Sequence, residues 1–306
     1  MLRFGTGGIP LTVKDRNAIA GIRRIRELGL AAMELEFVYQ IFLDKEKAEE
    51  VRKVAEELDV ALSVHGSYYV NLGSEDKQKW HASITRVVQA AKIGELAGAR
   101  YVTFHAGFRQ KQDGDLTYKN VKDGISRILD EVDKAKLKIK ITPELTGKAS
   151  QWGDLEELIK LNKDLGHNNL GFCFDFAHKH ARDGGGFNSK KEFDNMLILI
   201  KKELGEKFLK DMHIHISGIN YTEKGERNHL TLLGGYKEYE HQGIDIEGME
   251  KYYEDMQKKN KIGPADLEWK GLLQSLKEFG VGGTVVCESP NLEQDAILMS
   301  KTYEKL

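Results

Sequence analysis

The sequence predicts an α/β chain closed into a single parallel (β/α)8 TIM barrel, and three observations carry that prediction. Short apolar runs alternate with longer, amphipathic, charged segments about eight times along the chain. Strict β-then-α alternation makes a parallel sheet, and eight such units close one into a barrel. Metal-binding residue types also follow six different apolar runs, whereas an open doubly wound sheet gathers its site from two or three strands at a switch point. They are His65 in VALSVHGSYYVNL, His105 in YVTFHAG, Glu144 in IKITPELTG, Asp175 and His178 in LGFCFDFAH, His213 in DMHIHISG, and Glu288 in GTVVCESP.

The elements follow in order. Strands are expected at Leu2–Gly5, Ala31–Glu36, Ala61–His65, Tyr101–His105, Lys138–Pro143, Leu170–Asp175, Met212–Ile216 and Gly283–Cys287. Helices are expected at Arg16–Leu28, Lys45–Leu58, Asp76–Ala97, Tyr118–Lys136, Leu155–Leu165, Lys190–Leu204, Leu267–Phe279 and Leu292–Lys305. The second and third show apolar residues at i, i+3, i+4 with lysine and glutamate opposite. ELGL, ELAGAR and EFGVGG each place a glycine just before the next strand, as a helix C-cap requires. One connection breaks the rhythm. The segment 221–265 is far longer than an ordinary βα loop. It is polar and aromatic, carries a helical pattern at Ile246–Lys258, and is expected as a lid or recognition element over the catalytic face of a single domain spanning 1–306.

Composition narrows the function classes. A formal net charge of −2 and 31% charged residues describe an ordinary globular chain and exclude a broadly basic nucleic-acid-coating surface. Only two cysteines occur, Cys173 and Cys287, both in apolar runs, so buried free thiols in a reducing cytoplasm are expected. The opening MLRFGTGGIP lacks a signal-peptide run, and no stretch approaches the ~18 apolar residues of a membrane span. The expectation is a cytoplasmic monomer with no membrane attachment.

Side chains at the ends of parallel barrel strands converge on one pocket. Imidazoles mixed with carboxylates there suit zinc or another divalent transition ion; an all-oxygen set would suit magnesium. A single strand-end histidine is more often structural, but four are not explained that way. His215 shares a strand face with His213, and is open between ligation and lining the pocket. His180 is expected in a solvent-facing loop, and His81 and His167 on surfaces. His229 and His241 lie in the long connection, where position alone does not choose between them.

The blocks SVHGSYYVNL, TFHAG, PELTG, FCFDFAH, MHIHISG, RNHLTL and VVCESP, in this order, resemble the signature blocks of the endonuclease IV family, zinc-dependent apurinic/apyrimidinic endonucleases. The resemblance spans nearly the whole chain, from first strand to last helix. It implies a trinuclear zinc cluster, with manganese or another divalent ion as an alternative occupant. His65, His105 and Glu144 match ligands of the first ion. Glu144 bridges to the second, whose other ligands correspond to Asp175, His213 and Glu288; Glu144 and Glu288 are the carboxylates at the chemistry. His178 and His229 match the third. The family's third-site aspartate falls at Arg227, with Glu226 adjacent as a substitute if the loop shifts by one residue. Arg227 would otherwise bind a phosphate oxygen. Tyr68 corresponds to a tyrosine placed against DNA, and Asn71 lies in the same block. The family's DNA-penetrating arginine has no counterpart in ELEFVYQIFLDK, which leaves Phe37, Tyr39 or Phe42.

The implied activity is incision of double-stranded DNA 5′ to an abasic site, in base excision repair, with the lesion flipped out of the stack. The second reading is a sugar isomerase or epimerase on the same barrel, holding one divalent ion with Glu144, Asp175, His213 and Glu288. It leaves His65, His105 and His178 without an ion. A third, a non-catalytic DNA-binding barrel, leaves the bridging Glu144 unexplained.

Overall fold

Most residues of the short runs are buried whichever face they lie on, as parallel strands covered on both sides require. The computed structural model describes residues 2–110, 113–233 and 265–306. Eight parallel strands are β1 (Leu2–Gly7), β2 (Ala32–Glu36), β3 (Ala61–His65), β4 (Ala99–Phe104), β5 (Lys140–Pro143), β6 (Cys173–Asp175), β7 (Met212–Ile216) and β10 (Gly283–Cys287). Their order is β5-β4-β3-β2-β1-β10-β7-β6. Single parallel bridges, Ile141 with Leu170 and Glu144 with Cys173, join the two ends and close the barrel. The expected β6 is longer than the observed one because only these bridges hold its first residues to β5.

Helices α1 (Ala18–Glu27), α2 (Lys45–Glu57), α3 (Lys77–Leu96), α4 (Gly114–Lys134), α5 (Leu155–Leu165), α7 (Lys190–Leu204), α9 (Trp269–Glu278) and α10 (Glu293–Lys305) form the outer layer. Asp44, Asp76, Asp113, Asp154 and Ser189 cap their N-termini with side-chain oxygens. The predicted terminal glycines Gly29, Gly98 and Gly280 take φ of 76°, 82° and 57°, a backbone region that L side chains resist.

Three elements were not legible in the pattern. A one-turn helix α8 (Glu206–Leu209) precedes β7, and α6 (Phe176–Arg182) starts directly at the end of β6. An antiparallel hairpin, β8 (Gly218–Thr222) and β9 (Gly225–Leu230), follows β7 and packs on α6. The long connection therefore begins as an ordered ribbon. The rest of the proposed lid, with the Ile246–Lys258 helix and His241, lies outside the described residues.

Below the mouth the barrel interior is filled. Tyr101 stacks on His213 at 4.9 Å, and Asp211 accepts from Tyr101 Oη, Arg100 and Lys140 at 2.5, 2.6 and 2.6 Å at the N-terminal end. Both cysteines are free and buried, as expected.

Candidate metal centre

Strand ends bring the site together, and backbone carbonyls orient its rings. His65, the last residue of β3, has Nδ1 2.9 Å from Gly66 O. A carbonyl only accepts, so Nδ1 keeps its proton and Nε2 is the nitrogen available to an ion. That Nε2 faces Glu144 Oε2 at 3.4 Å. His105, just past β4, faces Glu144 Oε1 at 3.4 Å. Glu144 follows β5 and is fully buried between them.

The short helix α6 makes the next pair. Asp175 is its N-cap, with Oδ1 accepting from the His178 amide at 2.6 Å, which leaves Oδ2 for the pocket. His178 Nδ1 donates to Leu145 O at 3.0 Å, which leaves Nε2 as the nitrogen turned to the pocket. His229 Nδ1 donates to Glu288 O at 3.0 Å, and its bare Nε2 faces that of His178 at 3.4 Å. Glu226 Oε2 stands 3.5 Å from the same His178 Nε2. Two imidazole nitrogens and a carboxylate oxygen thus point at one another.

Glu226 reaches this place through a β-bulge. Asn220 pairs with Asn228 and Tyr221 with Glu226, so Arg227 is an extra residue in β9. In a regular strand Arg227 would share a face with His229. The bulge shifts the alternation by one, puts Glu226 beside His229, and leaves Arg227 exposed. Gly147 permits the approach, because a Cβ there would lie 2.7 Å from Glu226 Cβ and 3.0 Å from His178 Cδ2.

The expectation for β7 is corrected. His213 and His215 both face inward, but His213 sits one layer deeper, bonded to Thr284 Oγ1 at 2.8 Å and Glu34 Oε2 at 2.9 Å. His215 is the one at the pocket, with Nδ1 3.3 Å from Glu288 Oε1 and 3.7 Å from Glu144 Oε1. The spacing HIH could not say which histidine stands at the rim, since both lie on one face and only strand length decides. His180 is also corrected: it is buried on α6, between Phe187 O and Asp266 Oδ1, each at 3.0 Å.

The donors form sets within 4.8 Å of one another: His65, His105 and Glu144; Asp175, His178 and His229; and Glu144, Asp175, His215 and Glu288. Both oxygens of Glu144, Asp175 Oδ2 and His215 Nδ1 are buried with no hydrogen-bond partner. Each such orphan costs roughly 1–3 kcal/mol unless something satisfies it. Divalent cations fit this set, which mixes imidazole and carboxylate as zinc sites do.

Charges in the pocket are tightly linked. Burial opposes the His65 charge, but the adjacent Glu144 carboxylate and the charges of Glu36 and Glu34 push its pKa up to about 10. His178 is raised well above the usual imidazole value by Asp175 and Glu144 against burial, and His215 is likewise raised. Burial pushes Asp175 up to about 6, whereas His215 holds Glu288 down to about 2 against its own burial.

Two residues were missed: Glu34 and Glu36 on β2. ELE within an apolar run puts both carboxylates on the barrel's inner face, and that i, i+2 spacing was the available signal. Burial, assisted by Glu34 and Glu288, raises Glu36 to about 8, and its Oε1 is unpartnered. At the rim, Tyr68 is 53% exposed, edge-on to His65 and to Tyr39, which is 72% exposed. Phe37 is buried and Phe42 packs edge-on against it. Asn71 Oδ1 accepts from the Phe108 amide at 3.1 Å, tying the loops after β3 and β4 together.

The sequence model of the xylose isomerase-like TIM barrel family matches residues 22–302. The chain belongs to that family. An uncharacterized protein of Methanocaldococcus jannaschii is 35% identical over all of this chain and 98% of its own length. A "Probable endonuclease 4" of Mycoplasma genitalium is 28% identical over 57% of this chain and 58% of its own length. Two solved structures resemble the barrel from end to end. Endonuclease IV from Thermus thermophilus has a TM-score of 0.66 at 20% identity, covering 98% of each chain. A D-tagatose 3-epimerase-like protein has 0.64 at 18%, covering 98% of this chain and 96% of that one. At such identities the structural likenesses carry the xylose isomerase-like fold alone. Among the described residues no helix is long and apolar enough to cross a membrane.

Proposed function

We propose that this protein is a zinc-dependent endodeoxyribonuclease that incises duplex DNA 5′ to abasic sites in base excision repair, leaving a 3′-hydroxyl and a 5′-deoxyribose phosphate. The observation that carries the reading is the set of donors beyond one four-ligand ion. His65, His105, His178, His229 and Glu226 aim ring nitrogens and carboxylate oxygens into the same mouth. The low-identity endonuclease 4 relatives agree with it.

His65, His105 and Glu144 would hold the first ion, Glu144, Asp175, His215 and Glu288 the second, and His178, His229 and Glu226 the third. Bound ions supply Lewis acidity and a lowered water pKa for phosphodiester cleavage. Glu144, reached by donors from four sides, fixes the spacing of the set. Tyr68 and Tyr39, paired edge-to-face at 5.5 Å, offer an aromatic wedge where the family's arginine is lacking. Arg227, exposed in the ribbon, is available to meet a backbone phosphate. The protein is proposed to act as a cytoplasmic monomer.

A second reading is kept alive by a specific observation: Glu144, Asp175, His215 and Glu288 by themselves form a compact four-donor set, which a one-ion sugar epimerase needs. Incubating the zinc-loaded protein with a duplex bearing one tetrahydrofuran abasic analogue separates the two. A single 5′ incision, lost by at least ~10³-fold in Glu144→Ala, and two or three ions per chain by elemental analysis are expected. One ion per chain and no incision across zinc, manganese and cobalt would sink the repair assignment.

A further inference from the structure

We propose that Glu34 is a positioning residue that fixes the tautomer and ring orientation of His215, through a buried chain running Thr284, His213, Glu34, His215. The inference rests on the reading of His215 as a metal ligand. Of the pocket histidines, His65, His178 and His229 are each oriented by a backbone carbonyl, at 2.9, 3.0 and 3.0 Å. His215 lies mid-barrel, where the backbone carbonyls are committed to strand pairing. A side chain has to do the same task.

Glu34 is placed for it. It is fully buried on β2, and its Oε1 stands 3.0 Å from His215 Nε2. Its Oε2 accepts from Ser63 Oγ at 2.7 Å and lies 2.9 Å from His213 Nε2. An ionised carboxylate only accepts, so His213 presents Nε2–H to Oε2, and His215 Nε2, paired with Oε1 at 3.0 Å outside hydrogen-bond geometry, meets the same negative charge with its proton. His213 then has a bare Nδ1, which accepts the Thr284 hydroxyl proton at 2.8 Å. His215 then has Nδ1 as the nitrogen to give up its proton to an ion, and that nitrogen is the one facing Glu288 and Glu144. The negative charge of Glu34 thus favours the tautomer that turns His215 Nδ1 to the pocket. A carboxylate behind a ligand imidazole locks the ring and makes it a better donor, and losing such a partner costs ~10–100-fold in metal affinity.

Glutamine at position 34 breaks the logic without changing the volume. Its single carbonyl oxygen serves one imidazole N–H, and its NH2 group opposes the other. Titrating the metal-free full chain with Co(II), followed by equilibrium dialysis and visible absorption, tests the proposal. Wild type is expected to fill its sites in a tetrahedral or five-coordinate spectrum. Glu34→Gln is expected to bind one of those ions ~10–100-fold more weakly, with a changed d–d band and unaltered affinity at the remaining sites. Unchanged Co(II) affinity and spectrum in Glu34→Gln, with only a lower Tm, would reduce Glu34 to a packing role and overturn the proposal. Wild type that binds no Co(II) would instead bring down the metal reading beneath it. A thiolate-to-cobalt charge-transfer band would place an ion in the deeper Cys173, His213 and His215 cluster and also overturn it. Should Glu34→Gln fail to fold, 15N-resolved imidazole correlations of zinc-loaded wild type decide the matter. Coordination of His215 through Nδ1 with a proton on Nε2 supports the proposal, and the reverse tautomer refutes it.

Discussion

At the scale of single residues, the site depends on which atom of each ring is left bare. Three carbonyls and one carboxylate decide this, and none of them is itself a metal-binding candidate in the sequence. Gly147 is a similar silent contributor. Alanine there would push into Glu226 Oε2 at 2.9 Å and His178 Cδ2 at 3.0 Å. Gly147→Ala is expected to weaken the third ion by ~10–100-fold, on the scale of losing a ligand's support, while the first two stay bound. Three ions held as in wild type, measured by dialysis against a zinc buffer, would show that Glu226 holds none. These residues also mark how far the sequence could be read. The convergence of His65, His105, Glu144, Asp175, His178 and Glu288 on one pocket was legible because each follows an apolar run. His213 and His215 were not separable, because the alternation places both inward and says nothing of depth. Glu34 was hidden because a glutamate inside a strand reads as a polar interruption until its partners are known.

At the scale of elements, the barrel strands and outer helices were legible from period and caps, whereas α6 and the β8–β9 ribbon were not. The run FDFAH continues a strand pattern smoothly, and only Asp175 acting as an N-cap turns it into a helix that swings His178 back beside Glu144. The ribbon carries a different lesson. Arg227 occupies the position that simple counting assigns to a ligand, yet the extra residue moves it out and Glu226 in. Deleting Arg227 would remove the bulge and leave Glu226 and His229 two residues apart, on one face of a regular strand. The deletion variant is therefore expected to keep its third ion, while Glu226→Ala loses it. Metal counting on both variants tests this, and loss of the ion in the deletion alone would refute the bulge argument.

At the scale of the whole molecule, the proposed metal centre would couple loading to stability. The folded metal-free protein holds His65 protonated up to about pH 10, above its ordinary value of ~6.5. Stability from that group is complete below about pH 6.5 and is lost as pH rises toward 10. Glu36, raised to about 8, adds a loss of the same sign up to that pH, since the unfolded chain releases its proton earlier. Chelated protein is thus expected to lose Tm between about pH 7 and 9.5, and loaded protein much less, because bound ions replace those protons. At neutral pH, chelation should lower Tm by roughly 9–14 °C, from ~3 kcal/mol for each of two or three tightly held ions. A metal-free Tm that is level across this range would contradict the charge arrangement.

The filled barrel floor has a kinetic consequence. Tyr101, stacked beneath His213 and tied to Asp211, leaves ions no way in or out at the N-terminal end. Loading, exchange and stripping all have to pass through the opening where substrate would sit. A bound duplex would then act as a stopper, so the half-life of the metal under chelator should lengthen with occupancy of the mouth. Metal exchange becomes a clock for substrate residence, readable without any turnover.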